Sequence, residues 1–154
     1  MFWKILLIKL KSIFKKICIA SDHAGFDIKE IIKAYLIKNN FSIIDLGPNE
    51  RKSVDYPDYA KKVSLRIKSK KNDVGILVCG SGTGMAISAN KFREVRAAVC
   101  YNKASTRLSR QHNNANIIAL GSRIANKNNI IQMVKIFLNT KFEGGRHLRR
   151  IKKI

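Results

Sequence analysis

From Lys16 onward, short apolar runs alternate with longer stretches in which apolar and polar positions mix. KICIAS (16–21), SIIDL (42–46), VGILVC (74–79), VRAAVC (95–100) and NIIALG (116–121) are β-branched or apolar almost throughout, which predicts five fully buried strands. Residues 25–39, 57–70, 84–91, 103–112 and 127–139 carry apolar side chains three and four apart, as at Ile28, Ile31, Ile32, Tyr35 and Leu36, which predicts helices with one buried face. Alternation of this kind implies a parallel sheet with helices on both faces. Ligands of such sheets bind in the crevice outside the carboxyl ends of the strands. The loops to watch are therefore Ser21–Asp22–His23, 47–56, 79–84, Tyr101–Asn102 and 121–123.

Composition narrows the picture. The 154 residues are one domain's worth of chain, and 45% hydrophobic content with two prolines and nine glycines argues against disorder. A formal charge of +21 is compatible with nucleic acid, an anionic membrane or an anionic small substrate, but much of the excess is Lys set among Ile and Asn and reads as solvated surface. A nucleic-acid-binding protein is the competing reading from another class. The four tyrosines and seven phenylalanines are scattered and no recognition motif is present, so no specific nucleic-acid partner is expected. Any duplex binding should be weak and lost steeply with salt. Cys18, Cys79 and Cys100 are odd in number and widely spaced with no CxxC pair, which fits a reduced, cytoplasmic compartment. Residues 1–15 form a basic, apolar extension ahead of a domain over 16–154. MFWKILLIKLKSIFKK is interrupted by Lys4, Lys9 and Lys11, too short and broken for a transmembrane segment. It reads as a peripheral membrane or partner-binding helix, a targeting peptide, or an extension without function.

Candidate chemistry concentrates in VCGSGTGMAISANK, Val78 to Lys91. No Gly-Lys-Ser/Thr follows the glycines, which excludes a Walker loop. The loop follows the third strand, and the next strand ends without an acid, which argues against a dinucleotide fingerprint. What survives is a run of backbone N–H groups at a helix start, able to hold a phosphate or an oxyanion. Cys79, just ahead of that helix, is read equally well as a thiolate base, its pKa lowered by the helix, or as an inert core residue; Cys18 and Cys100, inside strands, are read as inert. The three histidines all lie beside polar groups, as Asp22-His23, His112-Asn113-Asn114 and Arg146-His147, and suit proton transfer near neutral pH. Arg123, Arg146, Arg149 and Arg150 offer guanidinium forks for phosphate, and the Gly144–Gly145 pair predicts a turn before Arg146.

Taken in order, IASDHAGF, DYPDYA, VCGSGTGMAISANK, SRQHNNANIIALGSR and EGGRHLRR closely resemble the type B ribose-5-phosphate isomerases, in the superfamily that includes the galactose-6-phosphate isomerase subunits. The resemblance runs from Lys16 to about Arg150. It implies a three-layer α/β/α Rossmann-like fold with a five-stranded parallel sheet, a homodimer or homotetramer, and no metal or organic cofactor. It further implies a sugar-phosphate substrate and interconversion of D-ribose 5-phosphate and D-ribulose 5-phosphate, through ring opening and a cis-enediolate, in the non-oxidative pentose phosphate pathway. On the family's pattern Cys79 is the base, His112 the ring-opening acid and Ser81 a hydroxyl that helps relay the proton. Asp22, His23 and Tyr56 would contact the sugar, and the amides of Gly80, Gly82, Thr83 and Gly84 the enediolate. Asn113, Arg123, Arg146 and Arg150 would bind substrate, the arginines on its phosphate; Arg149 matches no such role. The competing substrates are six-carbon sugar phosphates, allose 6-phosphate or galactose 6-phosphate. Because this chain carries base, acid and phosphate arginines together, whereas the galactose enzyme needs two different subunits, the ribose reading is favoured.

Overall fold

The computed structural model describes residues 13–154. Most of the extension expected over 1–15, and with it the membrane-contact reading of 1–16, lies outside the described residues. The order of elements is β1 (Ile17–Ser21), α1 (Phe26–Lys38), β2 (Ile43–Asp45), α2 (Tyr56–Ser69), β3 (Val74–Cys79), α3 (Thr83–Ala89), β4 (Ala97–Val99), α4 (Lys103–Gln111), β5 (Ile117–Gly121), α5 (Lys127–Asn139) and α6 (Arg146–Ile151). The five strands form one all-parallel sheet in the order β2-β1-β3-β5-β4, a Rossmann-like α/β fold.

Alternation along the three central strands divides the core in two. Ile17 and Ile19 of β1, Ile76 and Val78 of β3, and Ile118 and Leu120 of β5 face α1 and α5, where they meet Ile32, Leu36, Met133, Val134 and Phe137. Cys18, Ala20, Leu77, Cys79, Ile117 and Ala119 point to the other face, against Val63 and Ile67 of α2 and Met85 and Ala86 of α3.

Two differences from the sequence pattern have simple causes. The runs at 42–46 and 95–100 predict fully buried strands, yet β2 and β4 are only three residues each and half-buried. They are the two edges of the sheet, where each strand is covered by one neighbour instead of two, and hydrophobicity alone does not distinguish an edge from the middle. The second difference is α6. Gly144 and Gly145, at φ +69° and +54°, make the expected turn, and the basic stretch after it, for which the pattern predicts no element, forms a helix with His147 buried and Leu148 partly exposed.

A buried cation fastens the first crossover. Lys29 of α1 is fully buried, and its Nζ donates to both Asp45 carboxylate oxygens (3.1 and 3.0 Å) and to the Pro48 carbonyl (2.8 Å), with Glu30 3.0 Å away. Lys33, at 22% exposure, shares the same two carboxylates. An ammonium removed from water is tolerated only with such a set of acceptors. The network lowers the Asp45 carboxyl below its ordinary range, with the Lys33, Gly47 and Lys29 bonds outweighing burial. Lys29→Met should therefore lower stability by about 3 kcal/mol, since it strips the donor from a buried carbonyl and a cation from two carboxylates. Lys33→Met should cost well under half of that. Urea unfolding midpoints measure both, and equal midpoints for the two variants would contradict the assignment.

Candidate active site

The crevice where β1 and β3 lie side by side, between crossovers that leave in opposite directions, is where an open parallel sheet places its ligand. A cavity of about 440 Å³ opens there, lined by Asp22, Tyr56, Cys79, Gly80, Ser81, Gly84, Arg123 and Ile124. All but Ile124 were expected from the sequence. Ile124 is a half-exposed hydrophobic just past the predicted Arg123, and nothing in its local pattern marks it.

Each wall is held by backbone contacts. Cys79 ends β3, almost fully buried, and the Gly82 amide donates to its Sγ at 3.1 Å. Gly82 reaches that position at φ +80°, in the left-handed region that favours glycine, and an added Cβ would lie 3.0 Å from the Leu120 carbonyl carbon. The thiol is thus met by an N–H of the loop that begins α3. The Ser81 hydroxyl accepts from the Thr83 amide at 3.3 Å. Gly84 lies under the Tyr56 ring, and a Cβ there would be 2.8 Å from ring carbons.

Asp22 follows β1. Its amide donates to the Val78 carbonyl (3.1 Å) and its Oδ1 accepts from the Gly25 amide (2.9 Å), which fixes a largely buried carboxylate beside the thiol loop. Neighbouring Ser21 has a buried hydroxyl without a protein partner. His23 is more exposed; its Nδ1 lies 3.2 Å from the Val54 amide nitrogen and 3.3 Å from the Val54 carbonyl oxygen, so it accepts from one or donates to the other according to the tautomer. The loop after β5 closes the floor. The Ser122 and Arg123 amides donate to the Cys79 and Gly80 carbonyls (2.8 and 3.0 Å), and the Arg123 guanidinium extends over Gly80.

The remaining predicted residues form a second cluster. His112 caps the carboxyl end of α4, followed by Asn113, and its ring stacks on His147 with centroids 4.2 Å apart and planes at 10°. Glu143 Oε2 lies 3.9 Å from His112 Nε2 and 3.6 Å from His147 Nε2. Burial lowers the His147 pKa, as do, to a smaller extent, the neighbouring His112, Arg146 and Arg150. Arg146, Arg149 and Arg150 are exposed on α6. None of His112, Asn113, Arg146 or Arg150 lines the Cys79 cavity. The reason is topological. Strands run parallel, so α4 starts at the carboxyl edge of β4 and returns to the amino edge of β5, a length of about 14 Å for nine residues. His112 and Cys79 end on opposite edges of the sheet. Arg110 anchors that far edge by donating to the Ala115 and Thr140 carbonyls. Glu143, which the sequence did not single out, stands in the EGGRHLRR motif four residues ahead of His147.

The chain matches the family profile described as Ribose/Galactose Isomerase over residues 17–154. It is 42% identical over 140 residues to ribose-5-phosphate isomerase B of Escherichia coli, covering 91% of this chain and 94% of that one. Among solved structures it is similar to ribose 5-phosphate isomerase of Thermotoga maritima, with 51% identity, TM-score 0.87 and coverage of 90% and 95%. It is likewise similar to ribose-5-phosphate isomerase B of Mycoplasma genitalium with bound ribulose-5-phosphate, at 44% identity, TM-score 0.87 and coverage of 90% and 92%. The chain belongs to this family of sugar-phosphate isomerases, and it is an enzyme. Among the described residues no helix is long and apolar enough to cross a membrane.

The three free thiols should react unequally. Burial, then the charge of Asp73, pushes the Cys18 thiol up to about 11, and burial raises that of Cys100, whereas Cys79 lines an open cavity. Only the thiolate is alkylated at an appreciable rate. Iodoacetamide at mildly alkaline pH should label Cys79 in the folded protein and the other two only after denaturation, as read by peptide mass spectrometry. Native labelling of Cys18 or Cys100 ahead of Cys79 would be the contrary result.

Proposed function

We propose a mechanism in which one chain supplies the base, and a second copy the acid, for the reaction this enzyme catalyses, the interconversion of D-ribose 5-phosphate and D-ribulose 5-phosphate. The observation that carries it is the direction of α4, which puts His112 on the sheet edge opposite Cys79. A homodimer with a two-fold axis solves this geometry, because an isologous interface sets the amino-edge cluster of each chain against the carboxyl-edge cavity of the other and generates two equal sites. Pairing of dimers into a tetramer is compatible with the same arrangement.

In this reading His112 protonates the furanose ring oxygen as the C1–O bond breaks, and Asp22 or His23 takes the anomeric hydroxyl proton, whose O–H pair forms the aldehyde carbonyl. The Cys79 thiolate then removes the C2 proton. The electron pair of that C–H bond forms the C1–C2 double bond, and the carbonyl pair moves onto O1 as an enediolate, which the amides of Gly80, Gly82, Thr83 and Gly84 stabilise. Ser81 passes a proton between O2 and O1, and the Cys79 thiol returns its proton to C1, leaving the ketone at C2. Tyr56 flanks the sugar. Arg123, Arg146 and Arg150, with Asn113, hold the phosphate end, where guanidinium forks match its oxygens. All steps are proton transfers, so no redox partner is required. The enzyme would serve the non-oxidative pentose phosphate pathway in the cytoplasm, where its three thiols stay reduced.

The test is complementation. Cys79→Ala and His112→Ala should each abolish turnover of D-ribose 5-phosphate and deuterium exchange at C2 in D2O, followed by NMR. Co-refolding equal amounts of the two should restore about a quarter of the wild-type activity, because half the dimers are mixed and each mixed dimer has one intact site. No recovery from folded, dimeric mixtures would show that base and acid come from the same chain. Wild-type silence with this substrate, but turnover of a six-carbon sugar phosphate, would replace the substrate.

A further inference from the structure

We propose that His112, Glu143 and His147 form a binding site for a divalent transition-metal ion such as Zn2+, and that filling it switches the isomerase off. The three ligand atoms lie within 4.8 Å of one another. They come from three separate pieces of chain, the end of α4, the loop ahead of the glycine turn and the first turn of α6, and only Glu143 and His147 are close in sequence. Two imidazole nitrogens and one carboxylate are a donor set suited to zinc, which keeps its fourth position for water or another ligand when three protein groups bind it. A tetrahedral ion with bonds of about 2.0–2.1 Å needs donors roughly 3.3 Å apart. The Glu143 oxygen is 3.6 and 3.9 Å from the two nitrogens and no pair of ligand atoms is more than 4.8 Å apart, so the site closes when the stacked rings rotate apart and toward the ion.

Burial and charge set its character. His147 is held nearly buried while His112 and Glu143 are open to solvent, which leaves an entry path. Arg146 and Arg150 stand close by and repel a dication, but both are exposed and screened by salt. Affinity should be on the order of micromolar, far below that of a structural zinc site. The ion is an inhibitor in this proposal and takes no part in catalysis. Its effect on turnover rests on the acid role proposed for His112, because a nitrogen that holds a metal cannot carry the proton needed for ring opening.

Binding is tested apart from turnover. ZnCl2 is titrated calorimetrically into the chelator-stripped full chain carrying Cys79→Ser, which removes the thiol of the neighbouring site as a competing ligand. One ion per chain is expected, with affinity reduced at least tenfold by Glu143→Gln and by His147→Gln. Co2+ should give visible d–d bands without a thiolate charge-transfer band, and should broaden the ring proton signals of His112 and His147 but not His23, a readout that needs no variant at the site. No binding, binding undiminished in both substitutions, or broadening of His23 alone would overturn the site. With Cys79 intact, Zn2+ should cut the turnover of D-ribose 5-phosphate at least tenfold, and the ratio of rates with and without metal should approach one in Glu143→Gln. Confirmed binding with unchanged turnover would overturn the switch and count against His112 as the acid, while the metal site itself would stand.

Discussion

The site depends first on how closely the chain leaving β1 is pressed onto the end of β3. Gly25, at the start of α1, approaches the Val78 carbonyl so nearly that an added Cβ would be 2.3 Å from its oxygen, and that oxygen also accepts from the Asp22 amide. A backbone-to-backbone contact of this kind admits no side chain and little adjustment. It brings the carboxylate after β1 and the thiol ending β3 into one cavity. Ser122 adds the third strand, with its amide on the Cys79 carbonyl and its hydroxyl on the Ala24 carbonyl at 2.9 Å. The ends of β1, β3 and β5 are therefore fixed to one another by main-chain hydrogen bonds, independent of which side chains line the cavity.

The loop that follows Cys79 is shaped by the same economy of space. Gly80 passes under the Arg123 guanidinium and Gly84 under the Tyr56 ring, while Gly82 takes the left-handed conformation that turns its amide onto the sulfur. Alternate glycines there serve distinct demands, two of close approach and one of backbone conformation. A thiol at this position meets a donor, whereas Cys18 and Cys100 are enclosed by core and are held protonated by burial. The difference lies in what surrounds each sulfur, since Cys18 is inside β1, Cys79 ends β3 and Cys100, expected inside a strand, falls just past the end of β4.

Much of this was legible in the sequence because the governing signals are local. Strand and helix periods place ten of the eleven elements among the described residues, and the rule that ligands sit at carboxyl ends of parallel strands points to the loops that hold Asp22, Cys79 and Arg123. What the pattern did not give depends on neighbours that sequence does not reveal. The edge positions of β2 and β4 follow from strand order, which apolar runs do not encode. α6 was hidden because six basic and apolar residues after two glycines carry too little periodicity. Glu143 and Ile124 owe their places to tertiary approach, and the closeness of His112 to His147 spans thirty-five positions of chain. The family resemblance supplied the roles of His112 and the α6 arginines, which no local pattern would have assigned.

The least local feature is the separation of the two polar clusters. A parallel sheet forces every crossover helix to run back from the carboxyl edge to the amino edge, so a residue at the end of α4 cannot turn up beside the end of β3 in the same chain. If His112 and the arginines of α6 serve the reaction at Cys79, as proposed, the fold itself demands a partner, and the smallest closed solution is a pair of identical chains. His112, proposed as the acid, and its neighbours His147 and Glu143 lie away from the main-chain clasp around Cys79, on a helix end and a turn joined by the Glu143 amide on the Gln111 carbonyl at 3.1 Å. The bonds that shape the thiol loop run within it and to Ser122 and Arg123, not to this cluster, so a change of side chain at His112 or His147 leaves the Cys79 loop its supports.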